Sequence, residues 1–156
     1  MVPSVKSLRT CRGRLGSTAI WRLRMTSRAS GSKAAPAPEL SDIAAIAGAT
    51  HPLRLPHEKI ATTYCDINGE RRRSEEFFYV PLRLSAPFID ANRYESPADA
   101  WGDVGAASGP LYVALAVASA ERGYARGPHV LAWTSSDGGT RAAVTLTLPP
   151  HCNGDR

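Results

Sequence analysis

Apolar residues recur every three or four positions in some parts of the chain and every second position in others, which predicts alternating helices and strands. The predicted elements, in chain order, are a helix over 39–49, a strand over 59–67, a helix over 70–78, a short helix over 97–102, a helix over 105–123, and strands over 129–133 and 140–148. This order predicts an α/β domain, a mixed sheet with packed helices that ends in a β-hairpin.

Residue types at the ends of these elements support the boundaries. Ser41 or Asp42 can cap the first helix with a side-chain oxygen, and Ser96 can cap the short helix. Pro81 has no backbone N–H to donate, so it predicts that the helix over 70–78 ends or kinks nearby. The first half of the domain is therefore expected to consist of short helices on either side of one strand.

The segment over 105–123 is the longest predicted helix. Ser108 can cap it and Gly123 can end it. Almost every residue between them is apolar or small, on all sides of the helix. Such a helix is typical of a buried position, so we expect it to pack closely against a sheet or another helix.

Residues 1–38 differ from the rest of the chain in composition. They contain eight Lys or Arg and no acidic residue, whereas all 14 acidic residues follow from Glu39 onward. With many Ser, Gly and Ala and no sustained apolar period, this segment is predicted to be a disordered basic leader. It can be a transit peptide, a basic arm that touches phosphates, a linker, or a stretch translated from a misplaced start, with Met25 as an internal start.

Length, charge and cysteine spacing narrow the class of protein. The 156 residues suffice for one core, which we place over 39–150, followed by a tail over 151–156. The net charge of +5 comes from the leader, so it does not indicate a nucleic-acid-binding body. No apolar run approaches the roughly 20 residues of a membrane-spanning helix. The three cysteines are too far apart for a disulfide framework or a zinc pair, which favours the cytoplasm, and we expect no metal, cofactor, membrane or nucleic-acid partner.

Three segments carry a family pattern: CDINGERRRSEE over 65–76, GDVGAASGPL over 102–111 and WTSSDGGTRAAVTL over 133–146. They resemble, in the same order, the DxNGExxRxxEW, GNTSAASxP (or GHxxGAAG) and NSFGFGGTN segments of β-ketoacyl-acyl-carrier-protein synthases, in the thiolase superfamily. The resemblance covers 39–150 and corresponds to the C-terminal half of those enzymes. It implies a single thiolase-like half domain, with a buried small-residue helix and a glycine-rich turn between the last two strands.

The resemblance implies an acyltransferase that condenses acyl thioesters in fatty-acid or polyketide synthesis. In that family an active-site cysteine takes an acyl chain as a thioester, and two His, or one His and one Asn, stabilise the enolate of a malonyl thioester. The nucleophile lies in the family's N-terminal half, so this chain is expected to be truncated and catalytically incomplete. The implied partners are a missing N-terminal thiolase half, a second copy of the chain, or an acyl-carrier protein.

Both assisting positions are degenerate. The helix-start motif comprises Gly102, Gly105, Ala106, Ala107 and Ser108. Within it, Asp103 stands where the family has Asn or His, and an ionised carboxylate accepts hydrogen bonds and repels an enolate. The family's other His would fall near Asp66 and is absent.

The remaining candidate nucleophiles and bases match no family position. Cys65 follows a predicted strand and does not open a helix, so it is expected to be a buried structural residue. The histidines are expected on the surface or in loops; they are His51, His57, His129 and His151.

The glycine-rich turn is also altered. Gly138, Gly139 and Thr140 match the family's GGT, whereas Asp137 replaces a Phe whose backbone N–H contributes to the oxyanion hole, and Arg141 replaces an Asn. The segment can be a remnant oxyanion loop, or a hairpin turn that needs positive φ. The residue types leave both interpretations open.

Two charged groups remain. Arg71, Arg72 and Arg73 can meet the acidic surface of an acyl-carrier protein or can form an ordinary solvated face. Four carboxylates of the body can hold a divalent cation if the fold brings them together, which their order does not require. They are Asp66, Glu70, Asp99 and Asp103.

Two functions therefore stay open. The chain is either a piece of a condensing enzyme that needs a partner half, or a non-catalytic thiolase-like module retained for binding. Ketoacyl-synthase-like proteins without the catalytic residues accompany bacterial type VI secretion clusters, and a module of the second kind is similar to them. Acyl transfer onto Cys65 would separate the two hypotheses.

Overall fold

The computed structural model describes residues 10–12, 18–20, 22–28, 38–137 and 139–148, with side chains from residue 42 onward. Its elements are β1 (Thr10–Arg12), β2 (Thr18–Ile20), β3 (Arg22–Arg28), α1 (Pro38–Thr50), β4 (Ile60–Tyr64), α2 (Arg71–Arg83), α3 (Ala98–Trp101), a 3-10 turn (Gly105–Ala107), α4 (Ser108–Glu121), β5 (His129–Ser135) and β6 (Arg141–Thr147). The predicted α/β class, with a mixed sheet and a C-terminal hairpin, is confirmed.

Four strands form the main sheet, in the order β3-β6-β5-β4. β4 and β5 are parallel, whereas β6 is antiparallel to both β5 and β3. A parallel pair needs a long crossover, and here α2, α3 and α4 lie between β4 and β5 in the chain. The carboxyl ends of β4 and β5 consequently lie at the same edge of the sheet.

The outer edge of β4 is covered by the irregular segment over 87–95. The N–H of Ile60 donates to the carbonyl of Pro87 at 2.8 Å, and the N–H of Glu95 donates to the carbonyl of Thr63 at 2.8 Å. These bonds satisfy backbone groups that an edge strand would otherwise leave open.

Apolar side chains cover both faces of the sheet. One layer lies against α1 and α2 and includes Ile46, Phe77, Val80, Leu131 and Trp133. The other lies against α4 and includes Tyr112, Ala116, Val130, Ala132 and Leu146. A strand covered on both faces is apolar at nearly every position, which accounts for the continuous apolar run in β5.

α4 is less buried than its composition predicts. Its buried residues, four positions apart, are Ser108, Tyr112, Ala116 and Ala120. The sheet covers one side of the helix only, so Ala114 is exposed and Leu111 and Ala118 are half-buried. The prediction of a helix buried nearly all round is therefore wrong. In the described part of the chain no helix, α4 included, has the length and apolarity needed to span a membrane.

Three strands are described within the segment over 1–38 that the sequence predicts to be a disordered leader. β1 pairs with β2, and β3 pairs along its whole length with β6. Leu23 and Met25 alternate with arginines, which is the two-residue period of a strand, but the high Arg content made the segment resemble a disordered one. The rest of the leader before Pro38, together with Gly138 and the tail over 151–156, lies outside the described residues.

Three predicted helix ends differ from the structure. α1 begins a full turn before Asp42, so this residue lies inside the helix and does not cap it. The hydroxyl of Ser96 donates to the carbonyl of Ile67 and likewise caps no helix. α2 continues past Pro81 to Arg83, because a proline in the last turn removes only one helical hydrogen bond.

Candidate functional site

A cleft of about 570 Å³ opens at the carboxyl ends of β4 and β5. Loops that follow parallel strands converge at this edge of a sheet, which is where α/β proteins commonly bind ligands. The cleft is lined by Asp66, Arg73, Asp103, Gly105, Ala106, Ser108, Gly109, Thr134, Ser135, Ser136, Asp137, Thr140 and Ala142. The structure thus brings together residues from all three segments singled out in the sequence.

Asp66 joins the ends of the two parallel strands. Its Oδ2 atom accepts a hydrogen bond from the backbone N–H of Ser135 at 2.6 Å and from the Ser135 hydroxyl at 3.2 Å. Burial raises the pKa of the Asp66 carboxyl, while the bonds from Ser135 and the charge of Arg73 oppose that shift. The hydrogen-bonding capacity of this carboxylate is therefore largely used within the protein.

Arg73 lies at the centre of the charged groups of the cleft. Its guanidinium is near Glu70 Oε2 at 3.1 Å, Asp66 Oδ2 at 3.3 Å, Asp103 Oδ2 at 3.4 Å and Asp137 Oδ1 at 3.6 Å. The side chain is only 8% exposed. We call these five residues, with Arg72, the Arg73 cluster.

The run Arg71-Arg72-Arg73 is not a uniform solvated face. Arg71 is exposed and pairs with Glu75 at 2.6 Å, as that interpretation expects. Arg72 is half-exposed and contacts Asp137 at 2.7 Å, and Arg73 is buried. The solvated-face interpretation is therefore wrong for Arg73, because α2 turns this position toward the cleft.

Asp103 is held just before the 3-10 turn. Its Oδ1 atom accepts from the N–H of Gly105 at 2.8 Å, and its Oδ2 atom accepts from Asn68 Nδ2 at 3.0 Å. The hydrogen bond from Gly105, with smaller contributions from Asn68 and Arg73, lowers the pKa of the Asp103 carboxyl. The residue is thus an ionised acceptor at neutral pH and cannot donate to an oxyanion.

The helix-start motif forms the wall opposite the β5–β6 turn. Gly102 and Gly105 have φ values of +81° and +58°, which a side chain would strain. Ala106 and Ser108 line the cleft, whereas Ala107 is exposed outside it. Both glycines belong to the helix-start motif predicted from the sequence, and their positive φ values set the path of the backbone here.

Two backbone amides of the β5–β6 turn form hydrogen bonds within the turn. The N–H of Ser136 donates to the carbonyl of Thr140 at 2.9 Å, and the N–H of Gly139 donates to the carbonyl of Ser136 at 2.9 Å. Gly139 has a φ of +84°, and Asp137 is exposed and bound to Arg72. At these residues the segment has the geometry of a hairpin turn that needs positive φ.

Cys65 is fully buried, as expected. Its Sγ lies 3.7 Å from the carbonyl of Glu95, and burial raises the pKa of the thiol to about 12. A thiol with such a pKa is almost entirely protonated at neutral pH and is a poor nucleophile.

The predicted surface positions hold for two of the histidines. His51 and His57 are exposed. His129 is instead buried at the start of β5, with Nδ1 3.3 Å from Thr147 Oγ1, so its predicted surface or loop position is wrong. The side chain points inward because both faces of this strand are covered. His151 lies outside the described residues.

The carboxylates considered as cation ligands meet only in part. Asp66, Glu70 and Asp103 converge, but the guanidinium of Arg73 occupies the position between them. Asp99 does not join them. Across the described residues no group of three or more Asp, Glu, His or Cys side chains is arranged to hold a metal ion.

A second charged cluster, which sequence reasoning missed, lies beneath the β5–β6 turn. Arg141 Nε is 2.6 Å from Asp42 Oδ1, and Arg141 Nη2 is 2.7 Å from Glu76 Oε2. We call these three residues the Arg141 cluster. The signal in the sequence was a single arginine among the small and β-branched residues of the predicted strand over 140–148. The structure shows that this strand is covered on both faces.

The charged side chains of the cleft are mainly carboxylates. In the Arg73 cluster four carboxylates surround two guanidinium groups, which leaves a formal charge of −2. Ser135, Ser136 and Thr140 add polar groups to the lining. Such a surface repels anions, and Cys65 is not among the residues that line it.

The chain matches no protein-family model, and comparison with the curated proteins and with the solved structures gave no match either.

Proposed function

We propose that the chain is a non-catalytic thiolase-like module, a domain similar to the C-terminal half of a β-ketoacyl synthase that acts by binding and not by acyl transfer. The observation that carries the proposal is the convergence of the three family-like segments on one cleft whose charge is negative. The first segment supplies Asp66 and Arg73, the second Asp103, and the third Ser135 and the turn.

The charges of the cleft argue against a condensing reaction. A malonyl thioester is anionic, and its decarboxylation forms an enolate that needs hydrogen-bond donors. Asp103 and Asp66 are acceptors here, and Arg73 is already committed to carboxylates. Both the substrate and the transition state would meet repulsion at the position where the family stabilises them.

The absence of transfer can be tested on the purified chain. We expect no acyl adduct by intact-mass spectrometry after incubation with acetyl- and malonyl-pantetheine at pH 7 and pH 8.5, because the Cys65 thiol is buried and its pKa is about 12. Cys65→Ala serves as the matched control. An adduct that forms on the wild-type chain and disappears in the control would overturn the non-catalytic proposal.

The outer face of α4 favours a second candidate function. α4 is apolar on most sides, but the sheet covers only one of them. Leu111, Ala114 and Ala118 are therefore available to another surface. An N-terminal thiolase half can cover this face and supply the missing nucleophile, and a second copy of the chain can cover it without doing so. In the first case the chain is one part of a two-chain condensing enzyme.

Co-expression separates these partners. We expect Ala114→Arg to abolish any complex at this face, because a charge at an exposed apolar contact must be desolvated on association. Ser74→Arg, on the exposed side of α2, is the control. Sedimentation with and without a thiolase N-terminal half, or an acyl-carrier protein, identifies the partner. A complex that tolerates Ala114→Arg would place the interface elsewhere.

A further inference from the structure

The Arg141 cluster is buried more completely than the charges of the cleft. Asp42 on α1 is 0% exposed, Glu76 on α2 is 2% exposed and Arg141 on β6 is 3% exposed. The guanidinium contacts both carboxylates directly, at 2.6 Å and 2.7 Å. One buried positive charge is therefore shared between two buried acids on different elements.

Charged residues of both signs surround the cluster. Arg72 reaches Glu76 only at 3.7 Å, is half-exposed, and also pairs with Asp137. On β3, Arg28 lies opposite Arg141 and Arg24 opposite Thr145 in the strand register. α1 itself carries a further acid, Glu39, one turn before Asp42.

Asp42 is the member of the cluster whose pKa is raised. Burial raises its pKa to about 7, and Glu76 adds to that shift while Arg141 opposes it. Below that pH one ionised acid faces the guanidinium of Arg141, and above it a second buried negative charge is added. Such a charge costs several kcal/mol unless the surrounding structure opens to water.

Arg141 also links the cluster to the rim of the cleft. Its Nη1 atom donates to the carbonyl of Ser136 at 2.8 Å and to the carbonyl of Thr140 at 3.2 Å. These two residues begin and end the β5–β6 turn, and both line the cleft. The same guanidinium thus holds two helices and the turn.

We propose that the Arg141 cluster is a proton-dependent latch on the β5–β6 turn, with Arg141 as its positioning residue. When Asp42 is protonated, Arg141 pairs with Glu76 and keeps the turn closed. When Asp42 ionises, the excess buried charge favours opening of the turn and of the adjacent wall of the cleft. The latch is independent of whether the cleft is catalytic.

Amide hydrogen exchange of the full chain tests the latch. We expect the opening constant of the turn, read at the amides of Ser136 and Gly139 and corrected for the intrinsic exchange rate, to rise by up to about tenfold per pH unit between pH 5 and 7 and to level off above. Carbon-13 NMR of the Asp42 carboxyl should titrate with the same midpoint. A flat opening constant, or a midpoint that differs from that of Asp42, would overturn the proposal.

Two variants distinguish a latch from a merely structural contact. Asp42→Asn should make the opening constant independent of pH, and Glu76→Gln should move its midpoint to lower pH because Arg141 then serves Asp42 alone. A pH profile unchanged in both variants would contradict the proposal. If neither variant folds, the wild-type comparison of turn and carboxyl midpoints still determines the outcome.

Discussion

A single guanidinium links four segments of the chain at the cleft. Arg73 contacts carboxylates from the loop after β4, from the start of α2, from the segment before α4 and from the β5–β6 turn. Without it, the like charges of Asp66 and Asp103 would repel each other across a partly dehydrated space. The residue therefore stabilises an arrangement that the carboxylates alone cannot keep.

Replacing Arg73 tests this role. Arg73→Ala should lower the free energy of unfolding by about 3 kcal/mol, because removing one partner leaves buried charge unpaired. Arg73→Lys should recover only part of the loss, since an ammonium group cannot reach four carboxylates as the planar guanidinium does. Urea unfolding measures both.

The neighbouring arginine gives the control for that experiment. Arg71 is 90% exposed and pairs only with Glu75, so Arg71→Ala should leave the urea midpoint unchanged. Equal midpoints for Arg71→Ala and Arg73→Ala would show that the Arg73 cluster adds nothing to stability.

Sequence reasoning at this scale identified the residues but not their partners. Asp66, Asp103 and Asp137 were predicted as site positions, and the structure places all three on one cleft. Arg73 and Arg141 were not expected to be buried. A run of charges or an alternating strand does not show which distant carboxylate will neutralise a given arginine. Pairing of this kind is fixed by tertiary structure.

At the scale of elements, local patterns predicted most helices and the hairpin. In the helices over 38–50, 71–83 and 108–121, the spacing of apolar and polar residues is visible within a stretch of about 11 to 18 residues. β3 was missed because its arginine content hid a short two-residue alternation, and its partner β6 lies more than a hundred residues away. The covering of β4 by 87–95 was missed because an irregular segment has no periodic pattern that shows what it pairs with.

The entry into β5 is sensitive to one methyl group. A Cβ placed on Gly127 would lie 2.7 Å from Ala61 Cβ, on the neighbouring parallel strand. Gly127→Ala should therefore destabilise the fold by about 1 to 3 kcal/mol, as overpacking does, because two backbones must separate. Thermal or urea unfolding measures the change.

Gly48 provides the matched control. It lies in α1, and a Cβ there meets nothing within 4 Å. Gly48→Ala should stabilise the protein by about 0.5 to 1 kcal/mol through the helix preference of alanine. If both substitutions had the same sign, the close approach at Gly127 would not explain the result.

For the whole molecule, the buried acids link stability to pH. The pKa of Asp42 is raised from 3.8 to about 7, and that of Asp66 is raised as well. Between pH 3.8 and about pH 7, Asp42 keeps its proton in the folded chain and has released it in the unfolded chain. The stabilisation is therefore complete below about pH 4 and is lost as the pH rises toward 7. Asp103 acts in the opposite sense, but only below its ordinary pKa of 3.8.

We expect the free energy of unfolding to fall by about 2 to 4 kcal/mol from pH 4.5 to pH 7.5 in low salt. Asp42→Asn should remove most of this slope because the amide does not titrate. Urea unfolding at both pH values, in wild type and variant, measures the difference. Stability that rises with pH in the wild-type chain would contradict the sign assigned to Asp42.

The two edges of the main sheet differ in whether another segment of the chain covers them. The segment over 87–95 occupies the β4 edge, whereas in the described residues β3 pairs with β6 alone. Among the edges that the structure describes, the β3 edge is therefore the one at which a strand of another molecule can pair. The β3 sequence has arginine at positions 22, 24 and 28, and charged residues on an edge strand disfavour pairing with a like-charged copy. Salt screens that repulsion. Raising the ionic strength should therefore favour edge-to-edge association of this protein.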